Sequence, residues 1–233
     1  MLYSLMLASE LFDSKEDILV MYSDIVLEKN ILKQILKINQ DIVVAADINW
    51  ENLWSKRMEN YINDVESFKL GENGQIIEIG KKVTSLEGIK GQYMGIIKFS
   101  KNIQNEVISL YKSISKNAST NKLKFKSIYL TEFLQILIDK NFDIFPSFTS
   151  GGWLEIDTLE DLKIYESLYE DNMLGELCNL EIYSEPFDLL RSYKNKESKN
   201  KSNKFFLNDF INYCIKNIPI SNLEKTAFKI ARK

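Results

Sequence analysis

Histidine is absent from all 233 residues. That removes histidine triads, zinc–histidine sites and histidine general bases together. Only two cysteines occur, Cys178 and Cys214, far apart and at no metal-binding spacing. They predict a chain at home in the reducing cytoplasm. No apolar run is long enough to span a bilayer. Residues 1–8 are apolar but lack a basic flank, so they read as an amphipathic helix rather than a secretion signal. Positive charge is not in excess: 30 Lys and Arg face 33 Asp and Glu, for a net charge of −3. A broad nucleic-acid surface is therefore not expected. Residues 1–23 contain no glycine, so nothing there lets clustered backbone N–H groups approach a phosphate closely.

What is present is a core. Hydrophobic residues make up 45% of the chain and charged residues 27%, a balance that suits a packed domain. Strand and helix signals alternate from residue 3 to about 169. Residues 18–22 and 42–46 are continuous apolar runs, the second typical of a strand covered on both faces. Residues 28–37 carry a helical stripe of Ile31, Leu32, Ile35 and Leu36. Residues 65–70 alternate, turn residues follow at 71–74, and 75–79 return as a partner strand. Further strands are expected at 93–99, 144–148 and 152–156, and helices at 103–114, 128–139 and 159–169. This order predicts an α/β fold: a Rossmann-like, mostly parallel sheet with helices on both faces and a β-hairpin insertion. The domain is expected over 1–169. Residues 170–233 read as a helical extension, with a Lys/Asn/Ser-rich polar linker at 192–204.

Chemistry must then rest on other groups. Asp24 follows an apolar strand, so it should lie at the carboxyl edge of a sheet, where open α/β sheets bind ligands; capping the next helix is the alternative. In Trp153-Leu154-Glu155-Ile156-Asp157-Thr158, alternation puts Trp153, Glu155 and Asp157 on one strand face. Two acids on one face repel unless a cation or donors lie between them, and magnesium would relieve this while holding phosphate oxygens. Thr158 with Asp161 forms a capping-box pattern that needs no function; it leaves Glu155 unexplained. Lys81 and Lys82 end the hairpin and are either phosphate contacts or solvated lysines. Gly95, inside the strand that begins at Tyr93, marks a close approach or a bulge. Trp50, Trp54 and Arg57 fall at helical spacing and either line a pocket or fill core.

Together these segments resemble the nucleotidyltransferases that activate sugar phosphates and related small phosphates or phosphonates. Tyr22-Ser23-Asp24 is similar to the family's strand-ending Gly-Asp motif, and Glu78-Ile79-Gly80-Lys81-Lys82-Val83 to its Glu-Lys-Pro segment. Gly91-Gln92-Tyr93-Met94-Gly95-Ile96 resembles the strand with a substrate-facing glycine, and the stretch from Trp153 to Thr158 the segment bearing a second metal aspartate. Residues 50–158 look most like the cytidylyltransferases of phosphocholine, aminoethylphosphonate and similar head groups.

The resemblance implies attack of a substrate phosphate or phosphonate oxygen on the α-phosphorus of a nucleoside triphosphate, CTP by likeness, with pyrophosphate leaving. It implies that Asp24 and Asp157 hold Mg²⁺ and that Lys82 contacts the attacking phosphate. It places Glu155, Gly95, Tyr93 and Arg57 around the substrate. Family members open with a strand and a Gly-rich loop, and nothing of that kind precedes Asp24 here. Ser23 and Val83 stand where the family has glycine and proline. The resemblance thus implies an N-terminally shortened domain with exposed apolar sheet edges. Such a domain is either active beside a homo-oligomeric or separate partner chain that supplies the segment, or a catalytically inactive binding or interaction module. Nucleic-acid and membrane partners are not expected.

Overall fold

The computed structural model describes residues 1–117 and 128–179. The proposed linker and the helical segment beyond it lie outside the described residues.

Residues 42–46 do form a strand buried on both faces. Strand β3 (Ile42–Asp47) follows helices α1 (Leu2–Leu7) and α2 (Lys29–Lys37) and strands β1 (Ile18–Met21) and β2 (Ile25–Leu27). Every residue of β3 is buried. After it come α3 (Trp50–Arg57), β4 (Glu66–Leu70), β5 (Ile76–Lys82), β6 (Gln92–Phe99) and α4 (Gln104–Asn117). Then follow α5 (Leu130–Asp139), β7 (Ile144–Thr149), β8 (Trp153–Glu155) and α6 (Leu159–Glu170).

The main sheet has the order β1-β6-β3-β7. β3 and β7 are parallel, and β6 is antiparallel to both β1 and β3. Three of the four strands therefore run in one direction, with β6 set between them in the other. The fold is α/β with a mostly parallel sheet, as the alternation of signals predicts. β4 and β5 form the expected antiparallel hairpin.

Alternation along β3 divides the apolar residues into two cores. Ile42, Val44 and Ala46 pack with Ile97, Phe99 and residues of α1, α4 and α5. Val43 and Ala45 pack with Met94, Ile96 and residues of α2, α3 and α6. Leu174, Leu177 and Cys178 join the second core, so packing continues past residue 169. β1 is one edge of the sheet; its first three residues are half-buried and Met21 is exposed. Among the described residues no helix is long and apolar enough to cross a membrane.

The short β2 has no counterpart in the sequence reading. It pairs antiparallel with β8 in a separate two-stranded sheet, with Ile25 opposite Glu155 and Leu27 opposite Trp153. This pairing carries the candidate site.

Candidate active site

Asp24 lies in the turn between β1 and β2 and is exposed. Its carbonyl accepts a hydrogen bond from the Ile156 N–H at 2.8 Å, extending the β2–β8 pairing by one step. Residues 132 positions apart in the chain are thereby neighbours, and Asp24 lies beside the Glu155–Asp157 segment. β8 is anchored at its start by Asp47, the last residue of β3. The Asp47 carboxylate is wholly buried. It accepts from the N–H groups of Asn49 and Gly151 and from Trp153 Nε1, each at 2.8 Å. Three donors around one buried carboxylate satisfy the charge without a cation. Trp153 and Leu154 are both buried, so the strand's two faces are covered at its start and only its end, from Glu155 on, opens outward.

There the strand meets Arg57, the last residue of α3. The Arg57 side chain is 2% exposed and bonds three carboxylates. Nη1 donates to Glu155 Oε2 at 2.5 Å and Nη2 to Asp157 Oδ2 at 2.5 Å. Nε and Nη2 donate to the two oxygens of Asp161 at 2.9 and 3.3 Å. Burial works against the guanidinium charge, but its hydrogen bonds to Asp161 and Glu155 and the charge of Glu155 outweigh it, and its pKa is raised. Glu155 is pushed up, first by burial and then by the nearby charges of Asp157 and Asp24, with Arg57 opposing. Asp161 is held down: its burial is overcome by Arg57 and by hydrogen bonds from Thr158. Thr158 and Asp161 also complete the capping box at the start of α6. Glu155, which the cap leaves unexplained, has its partner in Arg57.

Tyr22 stands just before Asp24. Its N–H donates to the Gly95 carbonyl at 3.0 Å, and its ring meets Tyr93 edge-on at 5.8 Å. A Cβ on Gly95, where φ is +80°, would lie 2.5 Å from the Tyr22 ring. The close approach at Gly95 is thus made by Tyr22. Burial pushes the Tyr22 phenol up to about 12, and the charges of Glu66, Asp24 and Glu155 reinforce this. Glu66 is therefore within electrostatic reach of the same phenol as the two site acids. Lys82 lies directly opposite Glu66 across the hairpin and is exposed. Lys81 is paired with Glu78 at 2.9 Å.

Of the residues read from sequence, Asp24, Glu155, Asp157 and Arg57 come together at the end of the β2–β8 ribbon. Tyr93 and Gly95 lie behind Tyr22, whereas Lys82 is exposed on the β4–β5 hairpin, opposite Glu66. Trp50 and Trp54 fill the second core. The sequence reading missed Tyr22 and Glu66 as neighbours of the acids, Asp47 as the anchor of β8, and Asp161 as a partner of Arg57. The signal for Asp161 was present: one arginine at the end of an apolar helical face, and four acids within seven residues.

Asp24 and Asp157 are exposed oxygen donors, and Arg57 engages Asp157 through Oδ2 alone. Two exposed carboxylates are the hard oxygen donors that magnesium takes together with water and phosphate oxygens, since it seldom uses an all-protein cage. Among the described residues no three acidic or other ligating side chains form such a cage.

No family model matches the chain. Over 152 residues it is 34% identical to the CTP:phosphoglutamine cytidylyltransferase of Campylobacter jejuni subsp. jejuni serotype O:2, across 65% of this chain and 60% of the relative. The chain thus spans less than two thirds of that relative's length. In fold it is similar to the inositol-1-phosphate CTP transferase from T. maritima, with a TM-score of 0.52 at 20% identity over 76% of this chain and 62% of that one. In sequence and in fold, the chain is similar to the sugar-phosphate cytidylyltransferase-like family of nucleotidyltransferases.

Proposed function

We propose that this chain carries the metal- and acceptor-binding part of a cytidylyltransferase that transfers a cytidylyl group from CTP to a small phosphate or phosphonate. The observation that supports this most is the pairing of β2 with β8, which sets Asp24 beside Glu155 and Asp157 at the rim of the fold. In this reading an acceptor phosphate oxygen attacks the α-phosphorus of CTP, the α–β phosphoanhydride bond breaks, and pyrophosphate departs with its electron pair. Such a reaction depends on positioning and charge neutralisation rather than on a covalent enzyme intermediate, which fits a chain without histidine. Asp24 and Asp157 would hold magnesium, which when bound supplies positive charge to the phosphate oxygens. Lys82 would contact the attacking phosphate as a compact cation. Tyr22, Tyr93 and Glu66 would border the acceptor's head group. Phosphoglutamine is the acceptor named for the Campylobacter relative; phosphocholine, aminoethylphosphonate and sugar phosphates are the alternatives. The nucleotide cradle would come from a Gly-rich unit outside these 233 residues, in a partner chain or a further segment.

A second reading has its own observation. Arg57 already meets Glu155, Asp157 and Asp161, so the acids serve equally as a structural ion cluster in an inactive binding module. Pyrophosphate release from CTP, assayed with a panel of phosphorylated head groups and a restored Gly-rich unit, separates the two. The enzyme reading expects release that Asp157→Asn abolishes while the fold survives. Turnover that persists in Asp157→Asn ends the metal role. No release with any acceptor leaves the binding module.

A further inference from the structure

We infer that Arg57 is a positioning residue for the metal carboxylate Asp157, and that it acts through its fork geometry rather than by touching substrate. The inference rests on the metal reading above and adds the group that sets the carboxylate's orientation.

The geometry forms a chain of fixation. The first turn of α6 fixes Asp161: its Oδ2 accepts from the N–H groups of Asp157 and Thr158 at 3.0 and 2.8 Å. Asp161 in turn grips Arg57 through both its oxygens. The guanidinium is planar, so once two of its edges are held the rest are placed too. One remaining N–H points at Glu155 and another at Asp157. At 2% exposure the guanidinium cannot present itself to a ligand. It holds two like-charged side chains in fixed directions, where they would otherwise repel and splay. Arg57 bonds Asp157 through Oδ2 alone, and the Asp157 side chain is 51% exposed. A lysine in the same place has one point charge and cannot span three carboxylates.

Outer partners of this kind typically govern metal affinity by about ten- to a hundredfold. The test uses the full chain with Mn²⁺ alone as the probe, titrated well below each variant's melting temperature. Arg57→Lys should bind Mn²⁺ about tenfold or more weakly. Asp157→Asn should lose binding. Ile97→Val, which loosens the core on the other face of the sheet, should bind like the parent, so that lower stability alone does not mimic the effect. If Arg57→Lys fails to fold, Asp161→Asn, which keeps the guanidinium but releases its grip, carries the same expectation. Binding by Arg57→Lys or Asp161→Asn as tight as the parent's, with Asp157→Asn still deficient, overturns the role of Arg57 and leaves the metal reading standing. A parent that does not bind Mn²⁺, or whose binding survives Asp157→Asn, overturns the metal reading and this inference with it.

Discussion

The indole N–H of Trp153 donates to the buried carboxylate of Asp47 at 2.8 Å. This bond ties the end of the central parallel strand to the start of the strand that bears the site acids. Asp47 accepts two further N–H groups, from Asn49 and Gly151. Asp47→Asn replaces one acceptor oxygen by a donor and forces it against an N–H. A hydrogen bond to a charged group contributes about 1.5–3 kcal/mol, and an unsatisfied buried donor costs about as much again. Urea unfolding of Asp47→Asn should therefore show a loss of about 3 kcal/mol. In a double-mutant cycle with Trp153→Phe the two losses should fall short of additive. Additive losses would mean that the indole–carboxylate bond contributes nothing.

Gly95 permits a test of the contact behind the acids. Its φ of +80° disfavours any side chain, and a Cβ would lie 2.5 Å from the Tyr22 ring. The left-handed conformation alone costs roughly 1–2 kcal/mol for a residue with a Cβ, and the clash adds to it. Gly95→Ala should destabilise by about 2 kcal/mol or more, measured by denaturant midpoint. The same substitution made in Tyr22→Ala should cost only the backbone term. An equal cost in both backgrounds would show that Tyr22 does not fill the space.

These two sites mark where the sequence is legible and where it is not. β3 announces itself because five consecutive apolar residues need cover on both faces, and the hairpin because turn residues separate two alternating runs. The capping box at Thr158 and Asp161 is likewise local, a spacing of three. β2 is not legible: Ile25, Val26 and Leu27 are too few for a period, and only pairing with β8 makes them a strand. Arg57 lies 98 to 104 positions from its three partners. Its spacing from Trp50 and Trp54 reveals a helix but not what the helix end meets. Gly95 is legible as a special backbone position, while the identity of the group that approaches it is decided by topology.

Cys178 gives a pH test. It is 1% exposed, and burial, reinforced by Glu28, pushes its thiol from 9.0 up to about 12. A raised folded value means that the neutral thiol favours the native state. That stability is complete below pH 9.0 and is lost as pH rises toward about 12. Between pH 8 and pH 10 the loss from this group should be about 1 kcal/mol. Comparing Cys178→Ala with its parent, both in a Cys214→Ala background, isolates it: the variant should lose less stability over that window. The folded thiol should also resist alkylation at pH 8, since the thiolate is the reactive form. Rapid modification under native conditions would contradict the burial.

The last prediction concerns the nucleotide. Phosphate binding by backbone needs several N–H groups aimed at one point, and glycine is what lets the chain come that close. The first glycine of this chain is Gly71, in the hairpin turn. Gly151 and Gly152 are already engaged: the Gly151 N–H by Asp47 and the Gly152 N–H by the Leu177 carbonyl. Neither is left to cradle a triphosphate. Acidic side chains alone offer the triphosphate nothing but a shared cation. CTP with Mg²⁺ should therefore raise the melting temperature of this chain no more than Mg²⁺ does by itself. Since stabilisation follows RT ln(1 + [L]/Kd), ligand at a hundred times its Kd would contribute about 2.7 kcal/mol. A CTP-dependent shift of that size would show that the 233 residues hold a nucleotide site of their own, and the requirement for an external Gly-rich unit would fall.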